Sequence, residues 1–173
     1  MTDVADETAH AEFVARALSS PLRLRILRLC RFDARTNKEL AELLEVNPGT
    51  MLHHVRTLVE AGMLAPQEER AGARGARGVP CLSTGLSWHT EAPANQSVVL
   101  IETMRQQLEG VDPEAVNVSW LGLRLDTDGK RELEDRIQEL LEEYSQRAPD
   151  PGGDAYSLVV VLHPERNPPA AAR

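Results

Sequence analysis

Residues 36–64, TNKELAELLEVNPGTMLHHVRTLVEAGML, contain two helix-start signals within a dozen positions, and this spacing restricts the fold more than any other feature of the chain. Thr36 and Glu39 stand in the T-x-x-E relation of a capping box, in which each side chain satisfies a backbone N–H that a helix start leaves unpaired. Leu40, Leu43 and Leu44 then make the buried side of a short helix. Asn47 and Pro48 open the next one. Asparagine suits the N-cap, and proline suits the first helical position because its missing N–H would have had no partner there. Met51, Val55, Leu58 and Val59 share one side of this second helix, which runs to about Ala61 and is closed by Gly62. Two short helices, the second capped a few residues after the first ends, predict a helix-turn-helix.

The flanks supply the rest of a small domain. After a disordered N-terminus at 1–7, a helix is predicted over about Thr8 to Leu18, with Phe13, Val14, Ala17 and Leu18 as its apolar side. Ser20 and Pro21 restart the chain as PLRLRILRLC. Its alternation of leucine and arginine has the period of a strand, but the proline start and the stripe Leu22, Ile26, Leu29 and Cys30 favour a helix. Arg23, Arg25, Arg28 and Arg31 take the other face, open to solvent or phosphate. Downstream, Met63 to Glu68 and Val79 to Ser83 read as strands around the tip GARGARG. A hairpin directly after a helix-turn-helix is a wing, so residues 8–90 are expected to form a winged helix-turn-helix domain.

A further helix is predicted over Ala94 to Leu108, with Val98, Val99, Ile101 and Leu108 apolar and Gly110 near its end. Residues 112–164 read as a strand–helix–strand unit. VSWLGLRLD places Leu121, Leu123 and Leu125 on one side of a strand; DTDGKRELEDRIQELLEEYSQ is an amphipathic helix with Leu133, Ile137, Leu140, Leu141 and Tyr144 on one face; YSLVVVL is a buried strand. Whether the two strands pair is left open, and residues 165–173 read as a disordered tail. The fold class is α+β.

The net charge of −8 at first argues against nucleic acid, but it is unevenly spread. Residues 1–12 hold four acids and no Lys or Arg, residues 13–90 hold eleven bases against seven acids, and residues 91–173 hold sixteen acids against eight bases. A basic module between acidic flanks docks on a phosphate backbone in one orientation and is repelled in others. No apolar run reaches the roughly 20 residues that span a bilayer, and MTDVADETAH lacks a signal peptide's basic start, so no membrane association and a cytoplasmic location are expected. Cys30 and Cys81 make neither a disulfide framework nor a zinc-ligand spacing and read as buried small hydrophobes.

In this order and spacing, PLRLRIL, T-x-x-E-L-A-x-L-L and T-x-x-H-H-x-x-x-L-x-x-A-G-x-L resemble the winged helix-turn-helix core of the ArsR-type transcriptional regulators over about residues 11–88. The resemblance implies a homodimer held by helices at about 8–18 and 94–108, within a dimerisation segment at 91–111, and a recognition helix at 48–61 in the major groove of double-stranded DNA. Leu52 stands where the family commonly has serine. The metal-sensing members carry cysteines in the helix that here reads TNKELAEL, or a His/Asp/Glu set in the dimer helices; here that helix has no cysteine, and His10, His89 and His163 are scattered.

Independently of the resemblance, burial of Met51, Val55 and Leu58 turns Gly49, Thr50, His53, Arg56 and Thr57 outward near a helix N-terminus, where side chains reach base edges and N–H groups suit a phosphate. Thr50 and His53 are expected at bases; Arg56, Thr57 and His54 at phosphates or flanking positions; Asn47 at the helix start; and Arg70, Arg74 and Arg77 on the wing at phosphate or minor groove. Adjacent histidines point about 100° apart and do not share a metal as an i, i+4 pair does, so no metal and no cofactor are expected. No nucleophile elbow, phosphate loop or H-E-x-x-H pair points to an enzyme. The chain therefore reads as a DNA-binding transcriptional regulator, a repressor, with a small-molecule or protein effector as a further partner. The alternative is a protein-interaction module on the same scaffold, its partner bound through the acidic C-terminal unit.

Overall fold

The computed structural model describes residues 2–71, 77–90 and 95–166, with side chains described from residue 9 onward except at 71 and 77. The described chain forms two compact units, residues 1–110 and 111–173.

In the first unit, α1 (Thr2–Leu18) is followed by α2 (Pro21–Leu29), α3 (Asn37–Leu43) and α4 (Pro48–Glu60). The α1 helix starts at Thr2, so of the disordered start expected at 1–7 the described residues 2–7 are helical instead. The period-two pattern of PLRLRILRL resolves as a helix: Ser20 caps it, Pro21 occupies its first turn, and Ile26 and Leu27 are buried. Thr36 and Glu39 form the predicted capping box, with Thr36 N–H donating to Glu39 Oε2 at 2.6 Å and Glu39 N–H to Thr36 Oγ1 at 3.3 Å.

Both helices of the pair end in the same way. Gly62, at φ +70°, lets its N–H reach Val59 O and the Met63 N–H reach Leu58 O, each at 2.9 Å, which is the paired closure of a Schellman motif. At the end of α3 the same geometry falls on Glu45, at φ +53°, with Val46 N–H on Ala41 O at 3.0 Å. A side chain other than glycine's is strained there. This left-handed step is what turns the chain from α3 into Asn47 and the start of α4.

The α4 helix packs on α2 and α3, and β1 (Leu64–Pro66) packs on α4. Leu18, Ile26, Cys30, Leu40, Met51, Leu58, Met63 and Leu64 make the sealed centre of the core. The sequence pattern also put Leu43 inside; it is 51% exposed. The wing pairs β1 antiparallel with β4 (Cys81–Ser83), Ala65 opposite Leu82, and β2 (Arg70–Ala71) with β3 (Arg77–Gly78). An isolated bridge from Arg35 to Cys81 ties the wing to the chain before α3. A short α5 (Leu86–His89) leads toward α6 (Gln96–Leu108), which packs on α2 through Val99 and Thr103 and leaves Val98, Ile101 and Leu108 exposed.

The second unit holds a 3₁₀ turn (Pro113–Ala115) and one long helix, α7 (Thr127–Gln146). Asp126 caps α7 through the Gly129 N–H at 2.8 Å, and the Lys130–Glu134 pair braces its first turns. The two strands expected at 118–126 and 156–162 are absent among the described residues: neither segment enters a ladder. Alternation gives a segment an apolar side but supplies no edge to pair with, and Trp120 and Tyr156 stand 87% and 88% exposed. The α+β class therefore rests on the wing. The tail from 167 lies outside the described residues.

Candidate nucleic-acid interface

The recognition surface is built by the register of α4. Met51, Val55 and Leu58 are buried, which forces Gly49, Thr50, Leu52, His53 and Arg56 to the opposite, exposed side. Asn47 is committed to the cap, its Oδ1 accepting from Gly49 N–H at 2.8 Å. A Cβ at Gly49 would sit 3.2 Å from that oxygen, so glycine keeps the cap tight. The Asn37 side-chain amide donates to Pro48 O at 3.1 Å and joins the starts of α3 and α4.

The two histidines divide. His53 is exposed, on the outward face, while His54 is half-buried with Nδ1 3.5 Å from Arg23 Nη1. Their rings meet edge to face at 5.5 Å. Burial, then the Arg23 cation, then His53 hold the His54 imidazole below the ordinary histidine range. His54 thus faces α2 and not the surface expected for it. Thr57 is half-buried, and its hydroxyl donates back to His53 O at 3.0 Å. Thr50, His53 and Arg56 remain as the free polar side chains of the face, with Leu52 among them. The exposure of Leu52 follows from its place beside His53, a point the sequence pattern contained and the expected site left out.

On the wing, Arg70 is turned inward. Its Nη2 donates to Ala34 O at 2.9 Å and to the two Glu39 carboxylate oxygens at 3.1 and 3.2 Å. The capping glutamate therefore also anchors the wing, and Arg70 is not the free phosphate ligand expected. The wing approaches α3 closely: a Cβ on Gly78 would come within 3.0 Å of Thr36 Cγ2. Arg77 has its backbone in β3, and Arg74 lies outside the described residues. Lys38, exposed on the first turn of α3 and only loosely paired with Glu42 at 3.8 Å, adds a cation that the sequence pattern did not single out.

Among the described residues no three His, Cys, Asp or Glu side chains gather to hold a metal, and no helix is long and apolar enough to cross a membrane. Cys30 and Cys81 are buried free thiols.

The geometry is that of a winged helix-turn-helix. A family described as "Helix-turn-helix domain" matches residues 18–67, from the end of α1 to just past β1. A helix-turn-helix is a nucleic-acid-binding scaffold and not an enzyme fold. No curated protein matches the chain. Solved structures similar to it include a MarR transcriptional regulator from Methanosarcina mazei Go1, 14% identical, covering 80% of this chain and 83% of that one at a TM-score of 0.35. A SlyA-like transcription regulator from Listeria monocytogenes is 11% identical, with 83% of each chain covered and a TM-score of 0.38. A Mycobacterium tuberculosis MarR family protein in complex with p-aminosalicylic acid is 21% identical, with 78% and 91% covered and a TM-score of 0.33. At that distance they place the chain in no family.

Proposed function

We propose that this protein is a sequence-specific DNA-binding transcriptional regulator of the cytoplasm that acts as a homodimer and represses its target. One observation carries the reading: the exposed side of α4 presents Gly49, Thr50, Leu52, His53 and Arg56 beside the helix N-terminus, while Met51, Val55 and Leu58 fix that side outward. In the major groove, Thr50 and His53 hydrogen-bond base edges, Leu52 packs on a thymine methyl, and Arg56 neutralises a phosphate. Lys38 and the wing arginines Arg74 and Arg77 serve the backbone. The exposed Val98, Ile101 and Leu108 of α6 supply an apolar surface for the dimer interface, and two recognition helices then stand about 34–36 Å apart, one turn of duplex. The finer ArsR-type kinship rests on the order of motifs in residues 21–64; the neighbours' names, MarR and SlyA, do not support it.

A gel-shift assay across the protein's own promoter at several salt concentrations tests the proposal. A sequence preference with affinity falling steeply as salt rises is expected; no preference at any salt refutes it. A second reading, protein recognition by the acidic C-terminal unit, is favoured by the exposure of Trp120 and Tyr156 there. A pull-down with residues 111–166 deleted separates the two, since DNA binding survives the deletion only under the first.

A further inference from the structure

We propose that Arg23 is a positioning residue for the recognition helix, clamping the C-terminal end of α1 to α4 through His54. The inference rests on the DNA-binding reading above. Arg23 projects from the first turn of α2, between the two elements it joins. Its Nε donates to Ala17 O at 2.6 Å and its Nη2 to Arg16 O at 2.5 Å, carbonyls of the last turn of α1, of which Arg16 O also accepts from Ser19 N–H at 3.2 Å. The third arm of the same planar group, Nη1, lies 3.5 Å from His54 Nδ1 on α4.

Three features separate a clamp from an ordinary solvated arginine. Its guanidinium is partly desolvated, which lowers its pKa. A cation at the end of α1 also meets the negative pole of that helix. Finally, the fork is rigid, so the positions of the α1 carbonyls and of the His54 ring are set by one flat group; lysine has no such geometry. The clamp needs His54 Nδ1 without a proton. The charged groups bearing on that ring are Arg23 from α2 and His53 from its own helix, and both oppose its protonation. His53 is the immediate neighbour of His54 and lies on the outward face, so a shift of the His54 ring tilts the side chain placed against bases. A residue that touches no DNA thereby sets how α4 is presented.

The test uses the full chain and the variants Arg23→Gln, His54→Phe and the two combined. In an NMR titration of the histidine rings, Arg23→Gln moves the His54 midpoint upward. In binding assays, Arg23→Gln lowers affinity for the promoter fragment about fivefold, the lower end of typical coupling between sites, with a much smaller change for an unrelated duplex of equal length. In the combined variant the loss barely exceeds the larger single loss, because one clamp is removed twice. An unmoved His54 midpoint, or losses that add, overturns the inference. If the wild type shows no preference for the promoter, the DNA-binding reading fails, and the titration still decides whether the clamp exists.

Discussion

Replacing Arg70 by alanine separates two roles that the sequence alone assigns to one residue. As a wing arginine beside glycines it reads as a phosphate ligand, yet it is held within the chain by Ala34 O at 2.9 Å and the Glu39 carboxylate at 3.1 and 3.2 Å. The side chains of Arg70 and Glu39 are 52% and 43% exposed, so the ion pair itself stabilises by only about 0–1 kcal/mol. The carbonyl hydrogen bond adds about 0.5–1 kcal/mol. Arg70→Ala should therefore cost about 1 kcal/mol, a fall in Tm of about 2–4 °C for a chain of this length. It should leave the slope of log affinity against log salt unchanged. Arg56→Ala should do the reverse: no measurable change in Tm, and a slope shallower by about 0.9 for each phosphate no longer neutralised, roughly 2 per dimer. Thermal unfolding followed by circular dichroism and fluorescence anisotropy on the promoter fragment at four salt concentrations measure both quantities. A slope that falls as far for Arg70→Ala as for Arg56→Ala, with Tm unmoved, refutes the inward placement of Arg70.

Other consequences follow from single positions. Glu45→Gly relieves a left-handed φ of +53°; the strain of about 1–2 kcal/mol exceeds the glycine's extra chain entropy, so urea unfolding should show a gain of about 0.5–1 kcal/mol, and a loss would mean that Glu45 makes a compensating interaction. Burial first, with Cys81 adding to it, pushes the Cys30 thiol up to about 11; at pH 8 it should react with a thiol reagent at least about a hundredfold more slowly in the native protein than in denaturant, and equal rates would contradict its enclosure. The Thr36 N–H, the Thr36 hydroxyl and Arg70 hold the Glu39 carboxyl below its usual range. Its contribution to stability is then present above the unfolded value near pH 4.3 and is lost as pH falls through the lower folded value; wild type should approach Glu39→Gln in stability below about pH 4, and a constant gap across pH 3–7 would exclude the linkage.

Much of the first unit is written in local sequence. The capping box, the Asn47–Pro48 start and Gly62 act within one turn of themselves, and the spacing of Met51, Val55 and Leu58 fixes the outward face of α4 without reference to the rest of the chain. The features that escaped are those made between distant positions. Arg70 meets Glu39 across 31 residues and Arg23 meets His54 across another 31, and nothing local distinguishes an arginine that will find such a partner from one that faces solvent. Leu43 has the right period for burial, yet it stands 51% exposed in the last turn of α3. In the second unit the period-two pattern of 118–126 and 156–162 specifies a face and leaves the choice of ladder partner unspecified, so two apparent strands do not pair. The α7 helix, whose hydrogen bonds are its own, forms as expected.

The claim on which the rest depends is that the exposed side of α4 meets duplex DNA. Amide chemical-shift mapping of the isotopically labelled full chain, titrated with the promoter duplex, tests it most directly. The largest changes are expected at Gly49, Thr50, Leu52, His53 and Arg56, with smaller ones at Lys38 and the wing, and none of that size with an unrelated duplex. Changes confined to residues 111–166, or spread evenly over the surface and identical for both duplexes, would contradict it.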